Sequence, residues 1–466
     1  MTLNTDSDTI CAIATPPGRG GVGVLRVSGP LSQHIAQTLL HFTPEPRHAH
    51  YSKIYDQNSE LIDQGIVLFF PGPNSFTGED VLELQGHGGS YILDRLLKEV
   101  LQLGPRLARP GEFSERAFIN GKMDLTQAEA IADLIESSSE EAARSAIRTL
   151  QGDFSKLIAT LSSSIVDLRV YIEASIDFAE EEIDFLTEGK TSQSLEKILA
   201  ETDSILAQAK QGAILREGMS VVIAGKPNAG KSSLLNALAG KDSAIVTDIA
   251  GTTRDTLVEQ ISVDGMPVHI TDTAGLRQSD DVVEKEGIRR AIKAISDADR
   301  IILVLDSSQD DIALSELPTF LQSLGLDELF AQANINRLSI VRNKIDLIGQ
   351  ESSVRTLQSE QMAITEISLS AKSQQGLTLL RQHLKDCMGF SPSGEGGFIA
   401  RRRHLDALNR TKAFLQQAKQ QLDGRREGEI VAEDLKQAHR CLGEITGEFT
   451  TDDLLGRIFS SFCVGK

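Results

Sequence analysis

Residues 225–232 read Gly-Lys-Pro-Asn-Ala-Gly-Lys-Ser, which matches the pattern Gly-x-x-x-x-Gly-Lys-Ser/Thr at every position. An apolar run precedes this stretch at Val221–Ala224, and the helical apolar pattern of Ser233–Leu238 follows it. A strand, a glycine-rich loop and a helix in this order cradle phosphate, because loop N–H groups and the helix N-terminus converge on phosphate oxygens. We expect Lys231 to contact the outer phosphates and Ser232 to contact magnesium. The stretch predicts a parallel-sheet α/β domain that binds a nucleotide.

A second motif, Asp272–Gly275, follows the strand-like Val268–Thr271. An Asp264-Gly265 turn pairs this strand with residues 257–263 as a hairpin. The aspartate of such a motif holds magnesium through its water shell, and the Gly275 N–H senses a γ-phosphate. The motif therefore predicts a nucleoside triphosphate site.

A third motif, Asn343–Asp346, follows the strand Leu338–Val341. The Asp346 carboxylate can accept hydrogen bonds from the N1–H and 2-amino groups of guanine, a donor pair that adenine lacks. Ser370–Lys372 lies where a backbone N–H would meet the guanine oxygen. These motifs in this order predict that the domain binds GTP.

The residue that orients the attacking water is not the usual glutamine. Leu276 occupies the position after the second motif where Ras-like proteins carry glutamine, and its side chain can orient nothing. Glu284 is the candidate replacement and Glu286 its rival, while a solvated helix start explains both equally well. Upstream, residues 246–255 form the expected first switch, with a threonine hydroxyl for magnesium. Arg254 in that loop is either an arginine finger or a surface ion-pair partner.

The residues assigned to the GTP site are Asn228, Ala229, Gly230, Lys231, Ser232, Ser233, Thr247, Asp248, Ile249, Ala250, Gly251, Thr252, Thr253, Asp272, Thr273, Ala274, Gly275, Asn343, Lys344, Asp346, Ser370, Ala371 and Lys372.

Composition limits the class of protein. A chain of 466 residues suggests about three domains, and its 40% apolar content is enough for their cores. The four cysteines lie far apart without a Cys-x-x-Cys pair, which favours a reducing cytoplasm. A net charge of −19 argues against nonspecific coating of nucleic acid. The basic run Arg401–His404 fits a solvated helix start or a local RNA contact.

The pattern of strands and helices divides the chain. Residues from about 8 to 118 predict a mixed α/β unit, and helical stripes begin near residue 124 and return after the Gly/Ser/Pro-rich link Ser391–Gly397. We therefore predict a multidomain α/β protein in which an α/β nucleotide domain is inserted into a helical domain. The predicted segments are residues 1–119, 120–216, 217–386 and 387–466.

Several stretches outside the P-loop together resemble one family. They are the loop Gly251–Asp255 with Leu276, the glycine-rich Ala14–Gly23, the stretches Gly111–Phe118 and Gly121–Ala130, and the terminal Phe462–Lys466. This combination is similar to the MnmE (TrmE) family of tRNA-modification GTPases and spans essentially the whole chain.

The resemblance implies an N-terminal α/β folate-binding domain that dimerises, an all-α helical domain in two parts, and an inserted P-loop GTPase domain. It implies a homodimer that forms a heterotetramer with the flavoprotein MnmG (GidA) and acts on tRNA. The implied reaction adds an aminomethyl or carboxymethylaminomethyl group to carbon 5 of the wobble uridine. The implied one-carbon donor is 5-formyl- or methylene-tetrahydrofolate.

The resemblance also implies individual site residues. The folate contacts would be Arg26, Glu83, Lys122 and Lys466. Potassium would be bound by Asn228, Thr247, Ile249 and Thr252, and magnesium by Ser232 and Thr253. The implied catalytic residues are Glu284 and Cys463.

Three alternatives stay open at this point. Cys463 is either buried in a terminal helix, Asp452–Phe462, or a thiol at the folate pocket. The chain could instead be a ribosome-assembly GTPase of the Era or EngA type, although those proteins carry basic KH-like C-terminal domains. A folate enzyme with a merely regulatory GTPase domain is the third reading.

Overall fold

In a computed structural model of the chain, the described residues are 8–177, 190–239, 258–272, 295–310, 312–323, 335–359, 362–391, 397–424, 428–449 and 451–465. They fall into two compact units. The first comprises residues 1–135, 149–203 and 406–466, and the second comprises residues 136–148 and 204–405. Among the helices of the described ranges, none combines the length and the apolar character needed to cross a membrane.

A six-stranded sheet forms the centre of the N-terminal part of the first unit. Its strands are β1 (Ile10–Ile13), β2 (Gly20–Ser28), β3 (His50–Tyr55), β4 (Leu61–Phe70), β5 (Val81–Gly88) and β6 (Arg106–Leu107), in the spatial order β3-β4-β5-β2-β1-β6. All neighbours are antiparallel except β1 and β6. Its helices are α1 (Ser32–Leu40), α2 (Ser90–Gln102) and α3 (Glu112–Ile119).

One face of this sheet packs against the hydrophobic core. Apolar and polar residues alternate along the strands, so the apolar side chains all lie on that face. Leu25 and Val27 of β2 and Leu82 and Leu84 of β5 are fully or almost fully buried against α1 and α2. The mixed α/β unit predicted for residues from about 8 to 118 is confirmed. The alternate residues of β2 and β5, which include Arg26 and Glu83, lie on the opposite face.

Helices complete the first unit. They are α4 (Leu125–Glu136), the end of α5 (Glu140–Leu150), α6 (Asp153–Asp177), the start of α7 (Lys190–Glu217), most of α11 (Arg402–Asp423), α12 (Gly428–Thr446) and α13 (Asp452–Ser460). The α6 helix packs on α12, and Ile158, Leu161 and Ile165 of its apolar stripe are buried. The predicted helical blocks are confirmed. The predicted helix start at the basic run Arg401–His404 is confirmed too, although His404 is buried rather than solvated.

A charged cluster holds the start of α3 against the sheet. The Glu112 side chain is 2% exposed and accepts hydrogen bonds from Arg106 Nη1 at 2.8 Å and Nη2 at 2.5 Å. Burial alone would raise the Glu112 pKa, but hydrogen bonds from Arg106 and from the Arg109 N–H outweigh burial and lower the pKa from 4.5 to about 2.

This carboxylate makes the first unit acid-sensitive. Because the pKa of Glu112 is lower in the folded state, its contribution is complete above pH 4.5 and is lost as the pH falls towards about 2. The loss is on the order of 3 kcal/mol. Native-state hydrogen exchange of the sheet amides should show that the stability of the wild-type protein falls over this pH range. Glu112→Gln should be less stable than wild type at neutral pH and should lose little further stability as the pH falls. A Glu429→Gln variant, whose residue is exposed, should follow wild type; an identical acid profile in Glu112→Gln would contradict the prediction.

A seven-stranded sheet forms the second unit. Its strands are β7 (Met219–Ala224), β8 (Val258–Val263), β9 (Met266–Asp272), β10 (Arg300–Asp306), β11 (Leu338–Asn343), β12 (Ser353–Ser359) and β13 (Met362–Ser368), in the spatial order β12-β13-β11-β10-β7-β9-β8. The described helices beside it are α8 (Lys231–Ala239), α9 (Leu317–Ser323) and α10 (Leu377–Met388).

The five central strands are parallel, so both faces of the sheet are covered. Val221 and Ile223 of β7 pack towards α8 and α10, and Val222 packs with the apolar side chains around α9. The predicted hairpin turn at Asp264-Gly265 is confirmed. The sequence pattern did not predict that the other edge strand, β12, is antiparallel.

Candidate functional site

The P-loop, residues Gly225–Ser232, follows the carboxyl end of β7, one of the five parallel strands. Two of its glycines have backbone angles that favour glycine, with φ 147° at Gly225 and 95° at Gly230. A Cβ atom at Gly225 would overlap the Val304 carbonyl oxygen, and one at Gly230 would overlap the Asn343 side-chain amide. The predicted glycine positions are therefore required by close packing as well as by the loop conformation.

Lys231 and Ser232 open α8 with different exposure. The Lys231 side chain is buried, and its Nζ donates hydrogen bonds to the carbonyl oxygens of Gly225 at 3.0 Å and Lys226 at 2.9 Å. Ser232 and Ser233 are exposed in the first turn. The Lys231 ammonium thus lies within the loop, and the Ser232 hydroxyl is accessible, as a magnesium ligand requires.

Asn343 joins three of the predicted motifs. It is 2% exposed, and its Nδ2 donates to the Ala229 carbonyl oxygen of the P-loop at 3.0 Å. Its Oδ1 accepts from the N–H groups of Lys344 at 2.8 Å and Ala371 at 2.9 Å. The parallel strands bring these motifs to one edge of the sheet, where α/β domains bind ligands.

A serine holds the Asp346 carboxylate, which the sequence predicts to contact guanine. Ser370 Oγ donates to Asp346 Oδ1 at 2.6 Å and accepts the Ser373 N–H at 3.2 Å. Asp346 and Lys372 are exposed. The arrangement fixes one carboxylate oxygen and leaves the side chain open to a base.

One contact of this site was not predicted from sequence. Lys344 Nζ donates to the Asn228 carbonyl oxygen at 2.7 Å and forms an ion pair with Asp306 Oδ2 at 2.6 Å. Burial alone would raise the Asp306 pKa, but the bonds from Lys344 and Ser308 outweigh burial and hold the pKa below its ordinary value. The only sequence signal is that Asp306 ends an apolar strand, β10, beside the strand of the guanine motif.

Of the four predicted potassium ligands, only Asn228 lies within the described ranges. Asn228 is exposed and has φ 63°, a left-handed conformation that asparagine tolerates better than most residues. Asp272 ends β9, as the second motif requires. Apart from Cys463, which is described, the remaining predicted GTP, metal and catalytic residues lie outside the described ranges, as does one folate residue. They are Thr247, Asp248, Ile249, Ala250, Gly251, Thr252, Thr253, Thr273, Ala274, Gly275, Glu284 and Lys466.

Arg26 and Glu83, predicted as folate contacts, lie together in the first unit. Arg26 Nη2 is 2.8 Å from Glu83 Oε1, and both side chains are partly exposed. The Arg26 guanidinium lies 5.5 Å from the centre of the Phe76 ring and 5.7 Å from that of Phe113. Lys122 contacts the same loop as Phe76, because its Nζ donates to the Pro73 carbonyl oxygen at 2.9 Å.

The C-terminal tail reaches this pair. Arg26 Nη1 donates to the Gly465 carbonyl oxygen at 3.4 Å, and the Gly111 N–H donates to the Cys463 carbonyl oxygen at 3.3 Å. The reading of Cys463 as a residue buried in the terminal helix is wrong. The α13 helix ends at Ser460, and the Cys463 side chain is exposed because the tail leaves the helix to cross the sheet domain.

Comparison with known proteins covers the whole chain. The family model for the MnmE helical domain matches residues 125–463, and that for the GTP-binding protein TrmE N-terminus matches residues 9–122. The tRNA modification GTPase MnmE of Ectopseudomonas mendocina is 56% identical over 466 residues, which is 100% of both chains. The protein of the same name from Vibrio cholerae serotype O1 is 58% identical over 463 residues, or 99% of this chain and 100% of that one.

Proposed function

The chain belongs to the MnmE family of tRNA modification GTPases, and we propose that it is a potassium-dependent GTPase that drives modification of carbon 5 of the wobble uridine in certain tRNAs. In this proposal it acts in the cytoplasm as a homodimer together with the flavoprotein MnmG, and its four segments are those predicted from the sequence. The observation that carries the proposal is the similarity of the whole chain, not of the GTPase part alone, to relatives of the same length. That similarity does not favour the Era or EngA alternative.

In this proposal, five described residues have separate tasks at the nucleotide site. We expect the Asp346 carboxylate to accept the N1–H and 2-amino groups of guanine while Ser370 fixes its direction. We expect Lys231 to exchange the carbonyl oxygens of Gly225 and Lys226 for phosphate oxygens when GTP binds. Ser232 would hold magnesium and Asn228 would hold potassium. These cations neutralise the charge that develops on the phosphates.

The folate site would be built on the first sheet. Arg26 and Lys122 carry positive charge for the carboxylates or ring carbonyl of a folate, and Glu83 can accept hydrogen bonds from N–H groups. A bound tetrahydrofolate derivative supplies the one-carbon unit. The tail places the Gly465 carbonyl oxygen beside Arg26, two residues after the exposed Cys463, which supports a place for this thiol near the modification site.

Nucleoside analysis of tRNA tests the proposal. Cells that lack this chain should contain unmodified uridine at the wobble position of the affected tRNAs. Wild-type protein should restore the modification, and Lys231→Ala should not, because it removes the phosphate-binding ammonium. Normal uridine modification together with altered ribosomal subunits would instead support a ribosome-assembly GTPase.

A further inference from the structure

The last residue of β10 and the loop that follows it carry two buried carboxylates that none of the nucleotide motifs includes. Asp306 is 4% exposed and Asp310 is 6% exposed. Each binds a lysine of a nucleotide motif: Asp310 Oδ1 lies 2.7 Å from Lys226 Nζ, and Asp306 Oδ2 lies 2.6 Å from Lys344 Nζ. Burying a charged carboxylate costs free energy unless a partner compensates the charge. The two lysines supply this compensation, and both belong to nucleotide motifs.

The two oxygens of Asp306 have separate partners. Oδ1 accepts the Ser308 N–H at 3.0 Å and the Ser308 hydroxyl at 2.6 Å, which closes the turn of the loop. Oδ2 binds Lys344. The loop-forming role and the lysine-binding role of this carboxylate can therefore be separated by substitution.

Lys344 uses the same ammonium to hold the P-loop. Its Nζ donates to the Asn228 carbonyl oxygen at 2.7 Å. Both residues have left-handed backbone conformations, with φ 66° at Lys344 and 63° at Asn228. Such conformations are unfavourable for residues other than glycine and persist where surrounding contacts hold them.

The loop itself is anchored from the sheet interior. Arg342 of β11 donates from Nη1 to the Asp310 carbonyl oxygen at 3.0 Å and from Nη2 to that of Ile312 at 2.9 Å. The fully buried Glu366 holds Arg342 Nε at 2.7 Å. The hydrogen bonds of Arg342 therefore hold the loop that follows Asp306 in place, with Asp306 in contact with Lys344.

We propose that Asp306 is a positioning residue of the nucleotide site, which holds Lys344 against the Asn228 carbonyl and keeps the P-loop in its binding conformation before nucleotide arrives. A site that is already ordered loses less conformational entropy on binding, so its affinity is higher. The inference deepens the GTP-binding role of this chain and does not depend on potassium or folate.

The variant Asp306→Asn tests this role selectively. An asparagine can keep the Oδ1 bonds to Ser308 but replaces the charged Oδ2 with an NH₂ group, which cannot accept a bond from Lys344. With the full-length chain and fluorescent GDP, we expect about tenfold weaker binding, expressed mainly as faster dissociation. Hydrogen exchange of the P-loop amides without nucleotide should be faster than in wild type.

The matched control is Ser308→Ala, which removes a bond to Oδ1 and leaves the lysine contact. Its GDP affinity should stay within about twofold of wild type. GDP affinity and P-loop exchange at wild-type levels in Asp306→Asn would overturn the inference. So would equal losses of affinity and thermal stability in both variants, which would make Asp306 a residue for loop folding only. A wild-type chain that binds no GDP would overturn the GTP assignment itself.

Discussion

Asp346→Asn is expected to weaken GTP binding by about 100-fold or more, because one hydrogen bond to the carboxylate is lost, the other is made to a neutral oxygen, and the guanine 2-amino group then faces another donor. The Ser370 hydroxyl holds one oxygen of this side chain, so the asparagine would keep its position and present an amide in place of the second oxygen. An amide NH₂ repels the 2-amino group of guanine but pairs with the 2-oxo group of xanthine. The variant should therefore bind xanthosine triphosphate more tightly than wild type does.

Competition between labelled GDP and each unlabelled nucleotide measures both effects. The exposed Glu351, in the same part of the unit but without a role in the motifs, provides the control as Glu351→Gln. If Asp346→Asn bound GTP as wild type does, Asp346 would not read the base. A loss of affinity for GTP without a gain of affinity for xanthosine triphosphate would indicate that the variant disturbs the contact with Ser370 instead.

Glu284→Ala is expected to keep GTP affinity and to lower turnover by about 100-fold or more, the usual contribution of a group that orients or activates the attacking nucleophile. The reason is Leu276, whose apolar side chain cannot replace the glutamine found at this position in Ras-like proteins. Another acceptor must hold the water, and a carboxylate is the suitable group.

The rate of phosphate release under saturating GTP reports the hydrolysis step, and the affinity for GDP, measured separately, reports nucleotide binding.

The rival carboxylate supplies the matched control. Glu286→Ala should retain near-wild-type turnover if Glu284 orients the water. If the two results were exchanged, the role would pass to Glu286. Unchanged turnover in both variants would mean that this segment contributes no water-orienting group.

The nucleotide motifs could be predicted from sequence because each is a short local pattern with its own strand and loop. The P-loop, the hairpin at Asp264-Gly265 and the strand before Asn343 all lie where the local pattern places them. The carboxyl ends of parallel strands then bring the motifs together without further information. Family resemblance added Arg26 and Glu83, which no local pattern would have selected.

Contacts between distant residues could not be predicted in this way. Asp306 and Lys344 are 38 positions apart, and Arg116 binds Asp8 across 108 positions. Their pairing depends on strand order and on side-chain direction, neither of which a linear pattern contains. The sequence left the position of Cys463 open for a similar reason, because the residues after the end of α13 at Ser460 are held by contacts with residues far away in the chain.

The docking of the tail on the sheet domain has a consequence for how the protein is made. Gly465 packs so closely on the backbone of Ile13 and Ala14 that a Cβ atom there would overlap it. During synthesis, the strands around Arg26 leave the ribosome hundreds of residues before Gly465 does, so this surface stays incomplete until translation has passed that residue. A side chain at position 465 larger than the hydrogen of glycine would disturb this contact.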